Sequence, residues 1–118
     1  MYNQAGKELA MLYDIKMESM PREELKALQL KRLQDVANRV YYNVPFYHKR
    51  FDELGVKPTD IRSLDDIRRL PFTTKQDLRD RYPLGFMAVP RENIARLHAS
   101  SGTTGQAVVG CYTKRDLK

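Results

Sequence analysis

Six consecutive residues near the end of the 118-residue chain, Ser100-Ser101-Gly102-Thr103-Thr104-Gly105, separate two segments that have the character of β-strands. Residues 94–99 alternate apolar with polar or small side chains, and residues 107–112 are mostly small and apolar. Alternation of this kind is typical of a half-buried strand. The sequence therefore predicts a strand–loop–strand unit, and two strands need something more to pack on in order to be stable.

The loop between the strands has more hydroxyl groups and glycines than a tight hairpin requires. Glycine lets the backbone adopt positive φ and approach a ligand closely. Freed N–H groups can then form an anion-binding nest, and Ser and Thr hydroxyls donate to phosphate oxygens. The loop is neither a Walker A loop nor a dinucleotide fingerprint, because no Gly-Lys-Ser or Gly-Lys-Thr ends it and no helix opens directly after its glycines. Composition alone leaves two interpretations open, a phosphate-binding loop and a plain exposed loop.

The residues before the loop predict a helical region over residues 1–83. Pro21 suits the first position of a long helix, in which apolar residues recur at three- and four-residue steps up to about Asn43. Pro45 disfavours a helical residue before it and begins a second, shorter helix. Gly55 is the predicted C-terminal cap of that second helix.

Shorter elements are predicted from capping signals. Ser63 followed by Asp66 predicts a short helix start, and residues 73–77 begin another helix that Pro83 and Gly85 end. Thr113 followed by Asp116 fits a capping box, which predicts a helix from Lys114 onward. Because that helix would be cut after a few residues, the 118 residues are predicted to be a fragment of a longer protein.

Composition indicates a soluble globular protein, with 42% hydrophobic and 31% charged residues. No apolar run has the length of a membrane span, and the first residues lack the pattern of a signal peptide, which predicts a cytoplasmic location. A single cysteine, Cys111, can form neither an internal disulfide nor a zinc site alone, and it is interpreted as a small residue in a strand. The net charge of +6 fits either a nucleic acid or an acidic small ligand such as a nucleotide.

A small basic helical module that binds nucleic acid is the alternative to a nucleotide-binding enzyme. Lys31, Arg32 and Arg39 can contact phosphates, but Asp35 lies among them and no block of like charge stands out. Aromatic residues near Pro45 can stack on bases, although their helical spacing favours a core between two helices. They are Tyr41, Tyr42, Phe46, Tyr47 and Phe51. His48 is interpreted as a surface residue, and His98 as a structural hydrogen-bonding residue at a strand end.

Three blocks of sequence resemble one enzyme family. Residues 98–105 with residues 108–113, the stretch Asn43-Val44-Pro45-Phe46-Tyr47, and residues 70–79 (Leu-Pro-Phe-Thr-Thr-Lys, then Asp-Leu-Arg) resemble the phenylacetate-CoA ligase branch of the adenylate-forming superfamily. The resemblance runs from about Met20 to Lys118. One departure is that Gln106-Ala107 stands where the superfamily usually has Lys-Pro, which removes a cation but leaves backbone N–H groups and hydroxyls.

The resemblance implies an AMP-forming ligase of α/β class that uses ATP, Mg²⁺ and coenzyme A to activate phenylacetate or a related aryl acid. It implies that Ser100, Ser101, Gly102, Thr103, Thr104 and Gly105 hold the β- and γ-phosphates. Residues 84–118 would begin the nucleotide-binding core, whereas the catalytic, acyl-binding and metal-binding residues would lie beyond residue 118. The isolated chain is then expected to lack turnover, to expose apolar surface and to self-associate, with a homodimer possible for the parent. Nucleic acid and membranes are not expected among its partners.

Overall fold

The structure is a computed structural model that describes residues 12–102 and 105–118. It is mainly helical and has one two-stranded antiparallel sheet towards its end, as the sequence predicts. The helices are α1 (Ile15–Glu18), α2 (Arg22–Asn43), α3 (Pro45–Leu54) and α4 (Lys75–Asp80); 3-10 segments cover Pro58–Asp60, Leu64–Arg69 and Arg91–Asn93, and the strands are β1 (Ile94–Ala99) and β2 (Val109–Thr113).

Helices α2 and α3 form an angled pair because proline separates them. Val44 between them is extended, with φ −119° and ψ 106°, as expected for a residue that precedes proline. Helix α3 ends at Gly55, whose φ of 64° is left-handed and whose N–H closes the last turn. The predicted bounds of both helices are confirmed, except that Pro21 caps α2 and Arg22 is its first residue.

The hydrophobic core lies between α2, α3 and the segment that follows them. Ala37, Tyr41, Phe51, Val56 and Ile61 are buried and pack together. Helical spacing brings one face of α2 onto this cluster, which leaves the opposite face in solvent.

The aromatic residues near Pro45 divide between core and surface. Tyr41, Phe46 and Phe51 are buried as predicted, but Tyr42 is 73% exposed. Tyr42 follows Tyr41 directly on α2 and therefore points about 100° away from the buried face. The expectation that Tyr42 belongs to the core is wrong for this reason.

His48 is exposed, as the sequence predicts, and it also contacts two residues of the helix pair. Its Nδ1 lies 3.0 Å from the carbonyl oxygen of Tyr41, and its Nε2 lies 3.3 Å from a carboxylate oxygen of Asp52. The Tyr41 hydroxyl donates to the other carboxylate oxygen of Asp52 at 2.9 Å. This hydrogen bond raises the pKa of Tyr41, since ionisation would place two negative charges side by side. The three side chains join α2 to α3.

Capping boxes begin the short elements, as expected at Ser63. The Asp66 carboxylate accepts from the Ser63 N–H at 2.8 Å, and the Asp77 carboxylate accepts from the Thr74 N–H at 2.8 Å. The same pairing forms at Thr113 with Asp116, at 2.8 Å. There, however, residues 114–117 form a turn with i→i+3 backbone bonds and not the helix that the sequence predicts. The cap signal is local and does not by itself propagate a helix.

The sheet pairs β1 with β2 so that Leu97 lies opposite Cys111 and Ala99 opposite Val109, with a bulge between Ile94 and Arg96. Cys111 lies in a strand, as predicted. The expected half-burial of β1 is wrong, because five of its six residues are exposed. A two-stranded sheet gives each strand a single neighbour, and the side chains of β1 gain little cover from it.

Exposed apolar side chains occur in several places. Phe72 is 93% exposed, Leu97 58% and Ile67 57%. The sequence predicts apolar surface of this kind. None of the helices described is long and apolar enough to cross a membrane.

Candidate phosphate-binding loop

Ser100 and Val108, at the two ends of the loop, are joined by hydrogen bonds, and we call this pair the neck of the loop. The Ser100 N–H donates to the Val108 carbonyl at 2.9 Å, and the Val108 N–H donates to the Ser100 hydroxyl oxygen at 2.9 Å. Strand β2 consequently begins at Val109 and not at Ala107 as the sequence predicts. The Ser100 hydroxyl accepts a bond within the neck, and its own proton can still be donated to a ligand.

The two glycines of the loop both need conformations that suit glycine. Gly102 has φ +66° and Gly105 has φ +137°. The Gly105 N–H donates to the Gly102 carbonyl at 3.1 Å, which folds the loop into a turn. A Cβ on Gly102 would lie 2.9 Å from the Gly105 carbonyl oxygen, closer than such atoms approach. The positive φ angles are what the glycines in the sequence predict.

Four of the six predicted site residues fall within the described chain. Ser100 lies at the neck, Ser101 is exposed, and Gly102 and Gly105 form the turn. The other two, Thr103 and Thr104, lie outside the described residues. The described parts of the loop are thus two ends joined at Ser100 and Val108, next to the paired strands, and two glycines at positive φ joined by a hydrogen bond.

Arg79 lies beside this loop, and the sequence analysis did not include it among the site residues. Its guanidinium carbon is 4.0 Å from the position that a Cβ on Gly105 would occupy. Arg79 is half-buried and belongs to α4, far from the loop in sequence. Its only sequence signal is membership of the Asp77-Leu78-Arg79 block that resembles the ligases.

Charged side chains in and next to α4 contact the helical region. The Thr74 hydroxyl and the Thr74 N–H, both hydrogen-bonded to Asp77, lower the pKa of that carboxyl group, with smaller effects from Arg50 and Arg81. Asp77 lies 3.8 Å from Arg50 and 4.0 Å from Arg81. The Arg81 guanidinium also lies 4.3 Å from the centre of the Phe46 ring. Arg50 and Arg81 therefore contact the helical region, whereas Arg79 reaches the loop.

An open cleft of about 610 Å³ adjoins the neck of the loop, between the helical region and the sheet. His98 and Tyr112 lie on its strand side, with ring centres 4.9 Å apart. Tyr47 and Phe86 line the opposite side and contact each other edge to face. The cleft is mainly apolar and Ser100 lies at its edge, so an apolar group in the cleft can lie next to the loop.

The described residues hold no group of three or more His, Cys, Asp or Glu side chains that could bind a metal ion. Two ion pairs lie on α2, Lys26 with Glu23 at 3.0 Å and Lys31 with Asp35 at 2.8 Å. Acidic side chains therefore lie among the basic ones on this helix.

The fold resembles solved structures of acyl-CoA ligases. It superposes on 2-hydroxyisobutyryl-CoA ligase in complex with 2-HIB-AMP and CoA in the thioesterification state, with TM-score 0.73 and 34% identity, covering 86% of this chain and 22% of that one. A structure of the same ligase in the postadenylation state with 2-HIB-AMP gives TM-score 0.70 and 31% identity, over 82% and 21% of the two chains. The fold is thus that of part of an adenylate-forming α/β ligase.

Sequence comparison shows which kind of acyl-CoA ligase the chain is similar to. The chain is 56% identical over 108 residues to the phenylacetate-coenzyme A ligase of Thermus thermophilus, which is 92% of this chain and 24% of that protein. It is 50% identical over 101 residues to the enzyme of the same name from Escherichia coli K12, which is 86% of this chain and 23% of that protein. No protein-family model matches the chain. The aligned region is homologous to part of these phenylacetate-CoA ligases, which confirms the resemblance in the three sequence blocks.

The chain spans about a quarter of the length of these curated relatives. The homology favours a ligase over the nucleic-acid-binding alternative, which has no counterpart among these relatives.

Proposed function

We propose that this chain provides the ATP-phosphate loop of an AMP-forming phenylacetate-CoA ligase. The observation that carries the proposal is the glycine-dependent turn from Gly102 to Gly105, at the end of two paired strands, in a chain 56% identical to such a ligase. Residues 1–83 form the helical N-terminal region of that enzyme, and residues 84–118 begin its nucleotide-binding core.

The reaction has two steps. A carboxylate oxygen of the acid attacks the α-phosphorus of ATP, the bond to the β-phosphate oxygen breaks, and pyrophosphate leaves. The thiol sulfur of coenzyme A then attacks the acyl carbonyl carbon of the adenylate, and AMP leaves as the thioester forms. Fixed donors that hold the leaving pyrophosphate favour the first step, because they stabilise the charge that develops on it.

The six loop residues hold the β- and γ-phosphates in this proposal. Gly102 and Gly105 let the backbone approach the phosphates, and the hydroxyls of Ser100, Ser101, Thr103 and Thr104 donate to phosphate oxygens. Gln106 can add an amide donor but no charge. The groups that bind the acid, the adenosine and coenzyme A, and those that perform catalysis, belong to the part of the enzyme beyond residue 118.

Magnesium enters the proposal with the nucleotide, as MgATP. No metal ligand of the chain itself is part of the proposal, and the described residues hold no group of three or more His, Cys, Asp or Glu side chains. The substrates are ATP, coenzyme A and an aryl-acetic acid, and we place the enzyme in the cytoplasm, in phenylacetate catabolism. Exposed apolar side chains such as Leu97 favour self-association of the isolated chain, and a homodimer of the whole enzyme is compatible with it.

A chimera tests the proposal directly. The aligned residues of the Thermus thermophilus ligase are replaced by those of this chain, and AMP formation from ATP, phenylacetate and coenzyme A is measured. We expect the chimera to form AMP and thioester. A chimera that folds, by circular dichroism and thermal melting, but forms no AMP contradicts the proposal.

The isolated chain provides the complementary test. Because most of the proposed active site lies outside it, we expect no AMP release from the 118 residues with the same three substrates. Robust turnover by the isolated chain would show that the site is complete within it. The preferred acid is tested separately, by comparing phenylacetate with 2-hydroxyisobutyrate in the complete natural polypeptide that contains the chain.

A further inference from the structure

We propose that Arg79 binds the terminal phosphates held by the Ser100–Gly105 loop and supplies the positive charge that the loop itself lacks. The inference rests on the proposed function, since it concerns the same phosphate site. None of the residues from Ser100 to Gly105 is charged, and Gln106 after them is neutral. Hydroxyls and N–H groups alone leave the multiple negative charge of a nucleotide tail without a cation.

The position of Arg79 fits this role. Its guanidinium carbon lies 4.0 Å from the position that a Cβ on Gly105 would occupy, which places the guanidinium beside the loop. Because Gly105 has no side chain, nothing at that residue separates the guanidinium from a ligand lying along the backbone. A guanidinium has five N–H donors in a planar fork, so it can keep other hydrogen bonds and still bind a phosphate in a bidentate manner.

The helix that carries Arg79 is well fixed. Asp77 joins α4 to the Thr74 cap through an N–H and a hydroxyl, at 2.8 and 2.7 Å. The same carboxylate lies near Arg50 of α3, at 3.8 Å. Arg79 therefore extends from a helix whose cap and ion pair involve residues outside the loop.

Three variants in the active chimera test the role. Arg79→Gln removes the charge, Arg79→Lys keeps the charge without the fork, and Arg68→Gln is the matched control, because Arg68 is exposed and pairs only with exposed Asp65 among the described contacts. A charge-assisted hydrogen bond corresponds to about tenfold to hundredfold in affinity. We expect Arg79→Gln to raise KM for ATP and the inhibition constant of inorganic tripolyphosphate by about that factor, with Arg79→Lys between it and wild type. Arg68→Gln is expected to leave both unchanged.

Ligands with and without the β- and γ-phosphates distinguish a loss of phosphate binding from a loss of folding. AMP lacks the β- and γ-phosphates, so its inhibition constant and the KM for coenzyme A should not change in Arg79→Gln. Equal changes for AMP and tripolyphosphate, or wild-type values for both, overturn the role of Arg79 while the active parent chimera keeps the proposed function. If Arg79→Gln does not fold, the inhibition constants of tripolyphosphate and AMP are compared in the same way for Arg79→Lys. A parent chimera that forms no AMP overturns the proposed function, and the role of Arg79 with it.

Discussion

The helical region and the strand–loop–strand region differ in where their apolar side chains lie. Every buried hydrophobic residue among those described belongs to residues 37–61, whereas Leu97 on β1 is 58% exposed. The loop with two glycines at positive φ lies in the second region. The first region thus contains the packing that stabilises the chain, and the second contains the backbone geometry that can bind a ligand. The following substitutions test this difference.

Phe51→Ala should have the largest effect on stability. Phe51 is 2% exposed and packs against Tyr41. Removing a buried phenyl group costs about 3–5 kcal/mol, through lost transfer free energy and the cavity left behind. Urea unfolding followed by circular dichroism measures the change in the free energy of unfolding.

Leu97→Ala is the matched control for Phe51→Ala. Its side chain is more than half exposed, so the free energy of unfolding should change by less than about 1 kcal/mol. Comparable losses in the two variants would mean that β1 contributes to the core as much as α3 does, and the contrast between the regions would fail.

Gly102→Ala should affect the loop and not the core. A Cβ there would lie 2.9 Å from the Gly105 carbonyl oxygen and 3.3 Å from the Ala107 nitrogen, at a φ of +66°. The loop must therefore change shape, and we expect KM for ATP in the chimera to rise at least about tenfold, equivalent to about 1.4 kcal/mol. Kinetics over a range of ATP concentrations measure it.

The melting temperature of Gly102→Ala provides its control. Since the loop lies outside the hydrophobic core, the thermal midpoint should fall by much less than in Phe51→Ala. A large loss of stability with unchanged KM for ATP would reverse the roles that we give to the two regions.

Sequence reasoning succeeded where one short stretch determines the conformation. Proline at position 45 and glycine at position 55 fix the ends of α3 by steric effects within a few residues, and the structure confirms both. The positive φ angles of the two loop glycines follow from the same kind of local chemistry. The family resemblance also depended on short blocks, and homology over most of the chain confirms it.

Sequence predictions failed where the conformation or burial of a residue depends on tertiary contacts or on their absence. The Thr113–Asp116 cap forms, yet a turn follows it, because a cap does not supply the packing that sustains a helix. Tyr42 is the same residue type as its neighbour Tyr41, but it lies away from the buried face of α2. The approach of Arg79 to Gly105 joins distant parts of the chain, so no local pattern could predict it.

Gln34→Ala should have a moderate effect within the helical region. The Gln34 side-chain amide donates to the Ile61 carbonyl at 2.8 Å and thereby joins α2 to the segment after α3. Loss of a partly buried hydrogen bond costs about 1 kcal/mol. Asn38→Ala is the matched control on the same helix, since the Asn38 amide is exposed and bonds only locally to the Gln34 carbonyl. Urea unfolding should therefore separate the two variants, and equal losses would show that the long-range bond adds nothing.

The smallest predicted effect is the loss of folding stability at acidic pH. Backbone N–H groups of Arg62 and Ser63 lower the pKa of Asp66, and the hydroxyl and N–H of Thr74 lower that of Asp77. A carboxyl group whose pKa is lower in the folded state stabilises the fold fully above its unfolded pKa of about 3.9, and the contribution is lost as pH falls through the folded pKa. Stability should therefore decline gradually below about pH 5.

The variant Asp66→Asn with Asp77→Asn should make this decline shallower, since the amide oxygens still accept the cap bonds but do not titrate. Thermal melting by circular dichroism between about pH 2.5 and 6, the range in which carboxyl groups titrate, measures the slope. Asp65→Asn is the matched control, because Asp65 lies in the same 3-10 helix with its side chain 87% exposed, and its slope should equal that of the wild type. If the double variant keeps the wild-type slope, the acid sensitivity arises outside the two caps. The helical region would then owe its pH dependence to other carboxylates, such as Asp35 of α2, whose pKa the hydrogen bond from Lys31 lowers.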